Sequence, residues 1–351
     1  DGRLVIVFAH KHPDAWGTLV SAIIRAGFIV DGSWPIKTEM GTRQRAMNSA
    51  ALASSLWIVC KKRPATAKHG WDNRVMEEMR ANITEKLRAF WDAGIRGPDF
   101  VWAATGPALE AYSKHPVVKK ANDPGQVMTV DEFLVHVRRM VVDFVVGEVL
   151  MGTDDASDQA AVDRMDGPTA YYLLHRHDFG LADAPAGACI LYATACGISD
   201  HDLEATWDLI STKNAGAKQA DDDDGDADNG DDDNADGEDE GSSGGQMKLK
   251  TWSQRKGRTM GYDAPSGRPV PLIDRVHRLM LLWRAGDVHK VDEYLDDNGL
   301  RRHELFRRLL QSLIELADRG SEERALLESL SNHIGAQGAA REDKQRRLTL
   351  E

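Results

Sequence analysis

Leu4-Val5-Ile6-Val7-Phe8-Ala9 is an unbroken apolar run, and the fold turns on how it is read. A run without polar alternation is the mark of a strand covered on both faces of a parallel sheet. Beyond it, an amphipathic helix is expected from near Pro13, with Trp16, Leu19, Val20, Ile23 and Ile24 on one face and Gly27 as its stop. Phe28 to Ile36 reads as a second strand. Leu52 to Cys60 reads as a third, closed by Lys61-Lys62-Arg63-Pro64. Residues 1–66 are therefore α/β.

From about residue 71 the apolar spacing turns helical. One helix is expected over 71–93 and a second from Pro107 to about Lys114, since proline suits a first turn. A third is opened by Thr129 with Glu132 three residues on, a capping box. Its inward face is Phe133, Leu134, Val137, Met140, Val141, Phe144 and Val145. Shorter helices are expected over 157–210, a strand over Met247 to Trp252, and helices near 270–284, 301–318 and 322–333. These elements suggest a helical domain over 67–152, a small helical region over 153–214, a linker over 215–246 and a helical C-terminal domain over 247–351. The fold class is α/β, then mostly α.

The formal charge of −12 hides a strong asymmetry. Residues 221–240 hold 13 Asp or Glu and no Lys or Arg, so the remainder carries −12 + 13 = +1. Like charges repel and nothing there is available to bury, so this stretch reads as a solvated linker. It lacks the Gly-then-Glu register of a calcium loop. Cys60, Cys189 and Cys196 have neither disulfide-framework nor zinc spacing, and read as small core hydrophobes in a reducing cytoplasm. No uncharged apolar run reaches the ~18 residues of a membrane span. Asp1-Gly2-Arg3 is no signal peptide and has no initiator Met, so the chain is expected to start inside a larger reading frame.

Strand, helix, strand, long polar loop, strand is the order of the last third of a class I methyltransferase domain, whose final strand returns antiparallel. Many α/β folds contain such a segment. Several stretches are more specific: the opening strand with His10-Lys11, Ala15-Trp16, Gly27-Phe28, Ser33-Trp34-Pro35-Ile36-Lys37-Thr38-Glu39-Met40 and Ala50-Ala51-Leu52-Ala53-Ser54-Ser55. Gly94-Ile95-Arg96-Gly97 and Gly106-Pro107-Ala108-Leu109-Glu110 join them. Together they resemble the adenine-specific DNA methylases that carry a domain of unknown function at their N-terminus, strongly over 1–110 and loosely after 150. The acidic run is a departure from that pattern.

The resemblance implies the C-terminal third of a Rossmann-like sheet followed by helical domains. It implies methyl transfer from S-adenosylmethionine to the exocyclic amine of a flipped adenine in DNA. Such enzymes use a glycine-rich donor loop and an Asp-Pro-Pro-Tyr type motif. This sequence contains neither, and Met151-Gly152-Thr153-Asp154-Asp155 reads as a loop after a helix. No catalytic, donor-binding or metal residue is thus assigned, and no cofactor is expected for this chain alone. The donor would be bound by a missing N-terminal portion or a partner chain.

What is left for these residues is the rim of a target pocket. Functional groups in open α/β sheets gather beyond the carboxyl ends of parallel strands, which points to His10, Lys11, Trp34, Lys37, Thr38 and Glu39. The connection from Lys37 to Ala51 also carries Arg43, Gln44, Arg45 and Asn48, able to contact phosphates and base edges. The alternative for that loop is a solvated connection, and for His10 a hydrogen-bonded strand end. Lys61-Lys62-Arg63 reads as a soluble strand end. Trp16, Trp57, Trp71, Trp91 and Trp102 read as core, and His175-Arg176-His177 as no metal site. Residues 185–210 outline a helix-turn-helix whose second helix is too acidic for a major-groove reader. A competing class of function is a non-enzymatic module that binds DNA, or docks to a helicase or another protein of a prokaryotic restriction or phage-defence system.

Overall fold

The computed structural model describes residues 2–8, 13–37, 54–123, 125–151, 165–213, 246–255, 257, 259 and 268–348. It is a mixed α/β molecule with small sheets and many helices. The first sheet holds β1 (Leu4–Phe8), β2 (Phe28–Lys37) and β3 (Ser54–Lys62) in the order β1-β3-β2. β3 runs antiparallel to both neighbours, so β1 and β2 point the same way with the reversed strand between them. The expected bounds of these three strands hold to within two residues.

The expected coverage of the first strand does not hold. β1 is an edge strand, with Leu4 37%, Val5 48% and Val7 53% exposed. A short apolar run specifies a strand but not how many of its faces are covered. Here one face alone is packed, through Leu56, Ile58 and Cys60 of β3 and Val30 of β2.

Helix α1 (Pro13–Arg25) and helix α3 (Gly97–Ser113) supply that cover. Trp16 of α1 stacks on Trp102 of α3 at 4.2 Å between centroids, and Phe8 meets Trp16 edge-on at 4.8 Å. A Cβ at Gly106 would collide with Ser33 of β2, so this helix approaches its strand closer than a side chain permits. Pro107 lies inside α3 and does not open it. The opening proline is Pro98, in the first turn.

Helix α2 (Asp72–Asp92) matches the expected span, and α4 (Val130–Met151) begins at the expected capping box. The Glu132 amide donates to Thr129 Oγ1 at 3.2 Å and the Thr129 amide to Glu132 Oε2 at 3.0 Å. Two parallel pairs between β4 (Gly70–Trp71) and β5 (Val118–Lys119) tie the start of α2 to the chain after α3.

A second three-stranded sheet is formed by β6 (Asp183–Pro185), β7 (Ile210–Lys213) and β8 (Gln246–Leu249), all antiparallel, in the order β6-β8-β7. Lys213 lies directly opposite Gln246, so the stretch containing the acidic run leaves and re-enters at one end of this pair. Between β6 and β7 run α6 (Ala186–Ala195) and the six-residue α7 (Asp200–Ala205), preceded by α5 (Gly167–Phe179). After β8 come α8 (Leu272–Arg284), α9 (Val288–Asp297), a 3-10 turn at Leu300–Arg302, α10 (Glu304–Leu316) and α11 (Glu322–Leu348). The sequence reading missed α9, whose start is capped by Asp287 on the Lys290 amide at 3.2 Å.

Arg255 fastens the two sides of the acidic stretch. Its side chain is fully buried. It donates through Nε to the Asp208 carbonyl at 2.9 Å and through Nη2 to the Trp207 carbonyl at 2.8 Å, both before the stretch. After the stretch it meets Asp274 of α8 in a buried ion pair and donates to His277 Nδ1 at 2.9 Å. Removing one member of such a set strands buried polar groups. Arg255→Ala should therefore cost about 3–5 kcal/mol, read as a lower urea midpoint at unchanged slope. A loss under ~1 kcal/mol would show that the cluster contributes little.

Candidate functional site

The first sheet is the candidate site because it brings two strand ends to one rim. β1 ends at Phe8, opposite Leu56 of β3, and β2 ends at Lys37, opposite Ser54. Both point the same way, about 10 Å apart across the intervening strand given the usual strand spacing. Of the residues expected at this rim, Trp34 and Lys37 are in β2. Trp34 is 55% exposed. His10, Lys11, Thr38, Glu39, Arg43, Arg45 and Asn48 lie outside the described residues.

The sheet has a second feature that the sequence reading did not anticipate. Val7 pairs with Trp57 and Trp57 with Trp34, forming a transverse row on the face opposite α1 and α3. All three are exposed, and Val5 and Ile36 extend the same face. Trp57, expected in the core, is 38% exposed. A strand alternates its side chains, so placing Ile58 and Leu56 inward obliges Trp57 to point out. Contiguous apolar surface of this kind marks an interaction site more often than bare solvent contact. On its outer side β1 has no partner strand among the described residues.

The end of the sheet away from the rim is fixed by ions. Asp31, at the bulge between Val30 and Gly32, is paired with Lys61 and Arg3. The Lys61 hydrogen bond holds its carboxyl below the usual range. Arg63 donates to the carbonyls of Ile24 at 2.8 Å, Ser113 at 3.1 Å and His115 at 3.3 Å. This stretch is thus used to join β3 to the C-terminal ends of α1 and α3. In sequence nothing separates such an arginine from a solvated one.

The remaining titratable candidates are buried. His175 of α5 faces the Tyr171 hydroxyl at 3.3 Å and Cys189 Sγ at 3.8 Å, and burial pushes its pKa down to about 4. Burial likewise raises the Cys60 thiol to about 11 and Cys189 to about 12, values at which neither is a nucleophile near neutral pH. Arg176 pairs with Glu323 of α11 at 2.7 Å, and His177 with the adjacent Asp178. Among the described residues no group of three or more His, Cys, Asp or Glu could hold a metal ion, and no helix is long and apolar enough to cross a membrane. The helix-turn-helix outline resolves into α6, a turn at Gly197 with φ of 72°, and α7, which leads directly into β7.

No family model, curated protein or solved structure matches this chain.

His175 sets a pH dependence. An imidazole at about 4 in the fold and at its ordinary 6.5 when unfolded takes up protons preferentially in the unfolded state. Its stabilising contribution is present above about pH 6.5 and lost as pH falls toward 4, about 2 kcal/mol of it between pH 7 and 5. Urea unfolding at the two pH values should show His175→Gln losing about that much less than the parent chain. Equal losses would mean that His175 is not the responsible group.

Proposed function

We propose that this chain is the C-terminal portion of an S-adenosylmethionine-dependent DNA adenine-N6 methyltransferase. It completes the catalytic domain's sheet, forms the rim of the target pocket and contacts DNA. The observation that carries the reading is the strand order: two co-directional strands with a reversed strand inserted between them. The final strand of a class I methyltransferase sheet, the fold implied by the sequence resemblance, likewise returns antiparallel beside its predecessors.

The uncovered sheet supports the same reading. Leu4, Val5 and Val7 lie on a strand with one side unpaired among the described residues, and Trp34, Ile36 and Trp57 continue the exposed apolar surface. Further polypeptide carrying the donor loop and the target-amine motif adds strands at that edge and covers that face. The two strand ends then stand beside the donor. In the sequence His10 and Lys11 follow β1, and Thr38 and Glu39 follow β2; the proposal gives them the carboxyl rim, where ligands of open α/β sheets gather. Arg43, Arg45 and Asn48 contact the DNA backbone and base edges.

Two measurements test this. The isolated chain titrated calorimetrically with S-adenosylmethionine should give no binding, and tight binding would overturn the division of labour. In the complete enzyme, Arg43→Ala with Arg45→Ala should weaken DNA binding and reduce the slope of log K against log salt by about 2. Unchanged binding removes the loop assignment. Failure of the complete enzyme to transfer a labelled methyl group to adenine in duplex DNA removes the reading as a whole.

A further inference from the structure

A cleft of about 550 Å³ lies between α2 and α4. Its walls are two helical stripes at matching spacing: Met76, Arg80, Thr84 and Leu87 on one side, His136, Met140 and Phe144 on the other. At 1.5 Å per residue these stripes are about 16 Å and 12 Å long, the length of two to three helical turns. Met79 and Leu87 are buried at its base. Phe144 is held there by stacking on Phe100 at 5.8 Å and by the edge of Trp91 at 6.2 Å, so this part of the floor is formed in advance.

The chemistry of the rim selects among occupants. Arg139 is occupied, with Nε on Asp143 at 2.9 Å and Nη2 on the Met165 carbonyl at 3.3 Å. That pair neutralises Asp143, the only carboxylate among the described residues that line the cleft. Arg80 and His136 remain on opposite walls, both exposed. The surface offered is a mainly apolar trough with the Arg80 guanidinium at one border and the His136 ring at the other. Three methionines line it, and their flexible thioethers adapt to the side chains of a partner.

We propose that this cleft binds an amphipathic helix of a partner protein, its apolar residues spaced i, i+3, i+4, i+7 and its flanks acidic. Two helix stripes facing each other across a trough are complemented by the ridge of a third helix. The exposed Arg80 guanidinium favours Glu and Asp beside that ridge over Lys and Arg. This site uses no residue of the sheet rim, so it stands or falls separately from the methyltransferase reading.

The probe is a lactam-stapled, fluorescein-labelled helix with Leu at the anchor spacing and Glu elsewhere, titrated by anisotropy against the full chain. A second peptide carries Lys in place of Glu. The Glu peptide should bind at least tenfold more tightly than the Lys peptide. Arg80→Glu should cost at least tenfold for the Glu peptide with an unchanged unfolding midpoint, since Arg80 is exposed. Methyl NMR of the chain should show shifts confined to Met76, Met79 and Met140. No binding, equal binding of both peptides, or indifference to Arg80→Glu would each overturn the proposal. Concentration-dependent dimerisation abolished by Arg80→Glu would overturn it in favour of a second copy of this chain.

Discussion

A buried guanidinium holds together what the sequence interrupts. Between Lys213 and Gln246 lies the stretch that carries the acidic run, yet these two residues face each other in one sheet. Bringing together two segments this far apart in sequence costs on the order of 3 kcal/mol of chain entropy beyond a constant, and two four-residue strands offer little to offset it. Arg255 supplies the missing restraint. It reaches carbonyls on one side of the stretch and a carboxylate and an imidazole on the other. A guanidinium only donates, so His277 Nδ1 must accept and its proton sits on Nε2. Burial and the neighbouring charge keep that ring neutral. The same region is closed by Asp166 and Thr169 at the start of α5, which accept the Leu272 and Ile273 amides at the start of α8. These contacts fix strand register and helix docking among the described residues.

The first sheet is governed by a different constraint, one-sidedness. The Trp16–Trp102 stack and the close approach at Gly106 commit one face to the helices. Strand alternation then forces Val5, Val7, Trp34 and Trp57 outward. Their exposure follows from the same pleat that buries Ile58 and Cys60, so no substitution on the inner face could hide them. An apolar outer face beside a strand edge is a liability for aggregation unless something covers it. This connects the packing of the sheet to the assembly proposed for it.

The sequence disclosed elements far better than surroundings. Caps and stops are local, and they were legible: Thr129 with Glu132 opens α4, and Gly27 ends α1 with φ of 79°. The bounds of β1 to β3 followed from apolar runs, whereas β4 to β7 were missed, β6 and β7 lying where a small helical region was expected. Coverage was not legible, because Leu4 to Phe8 reads identically whether one face or two are packed. Pro107 misled, since a proline at a first turn and one within a helix differ only in what precedes them, and here Pro98 already occupied the first turn. α9 escaped because its inward anchors, Val291 and Leu295, are too few to stand out among the acids. Arg63 and Arg255 sit in basic, polar stretches that resemble solvated surface. Their partners are tens of residues away, and only the fold brings the carbonyls to them.

Net charge illustrates the same separation of scales. The value of −12 belongs to the whole chain, but 13 acidic residues lie within the single stretch 221–240. A surface senses exposed charges within about a Debye length, 8–10 Å at ordinary salt. For the rim proposed on the first sheet, the charges that matter are therefore those of Lys11, Lys37, Glu39, Arg43 and Arg45 in the sequence, and the sum over the chain does not set its affinity for a polyanion. α7 makes the converse point. Asp200, Asp202 and Glu204 share one six-residue helix; Asp202 Oδ1 accepts from the Thr206 hydroxyl, and the Asp202 amide donates to the Ser199 hydroxyl that caps the helix. That helix is built to pack and to cap itself, and its local sign opposes nucleic acid whatever the rest of the chain carries.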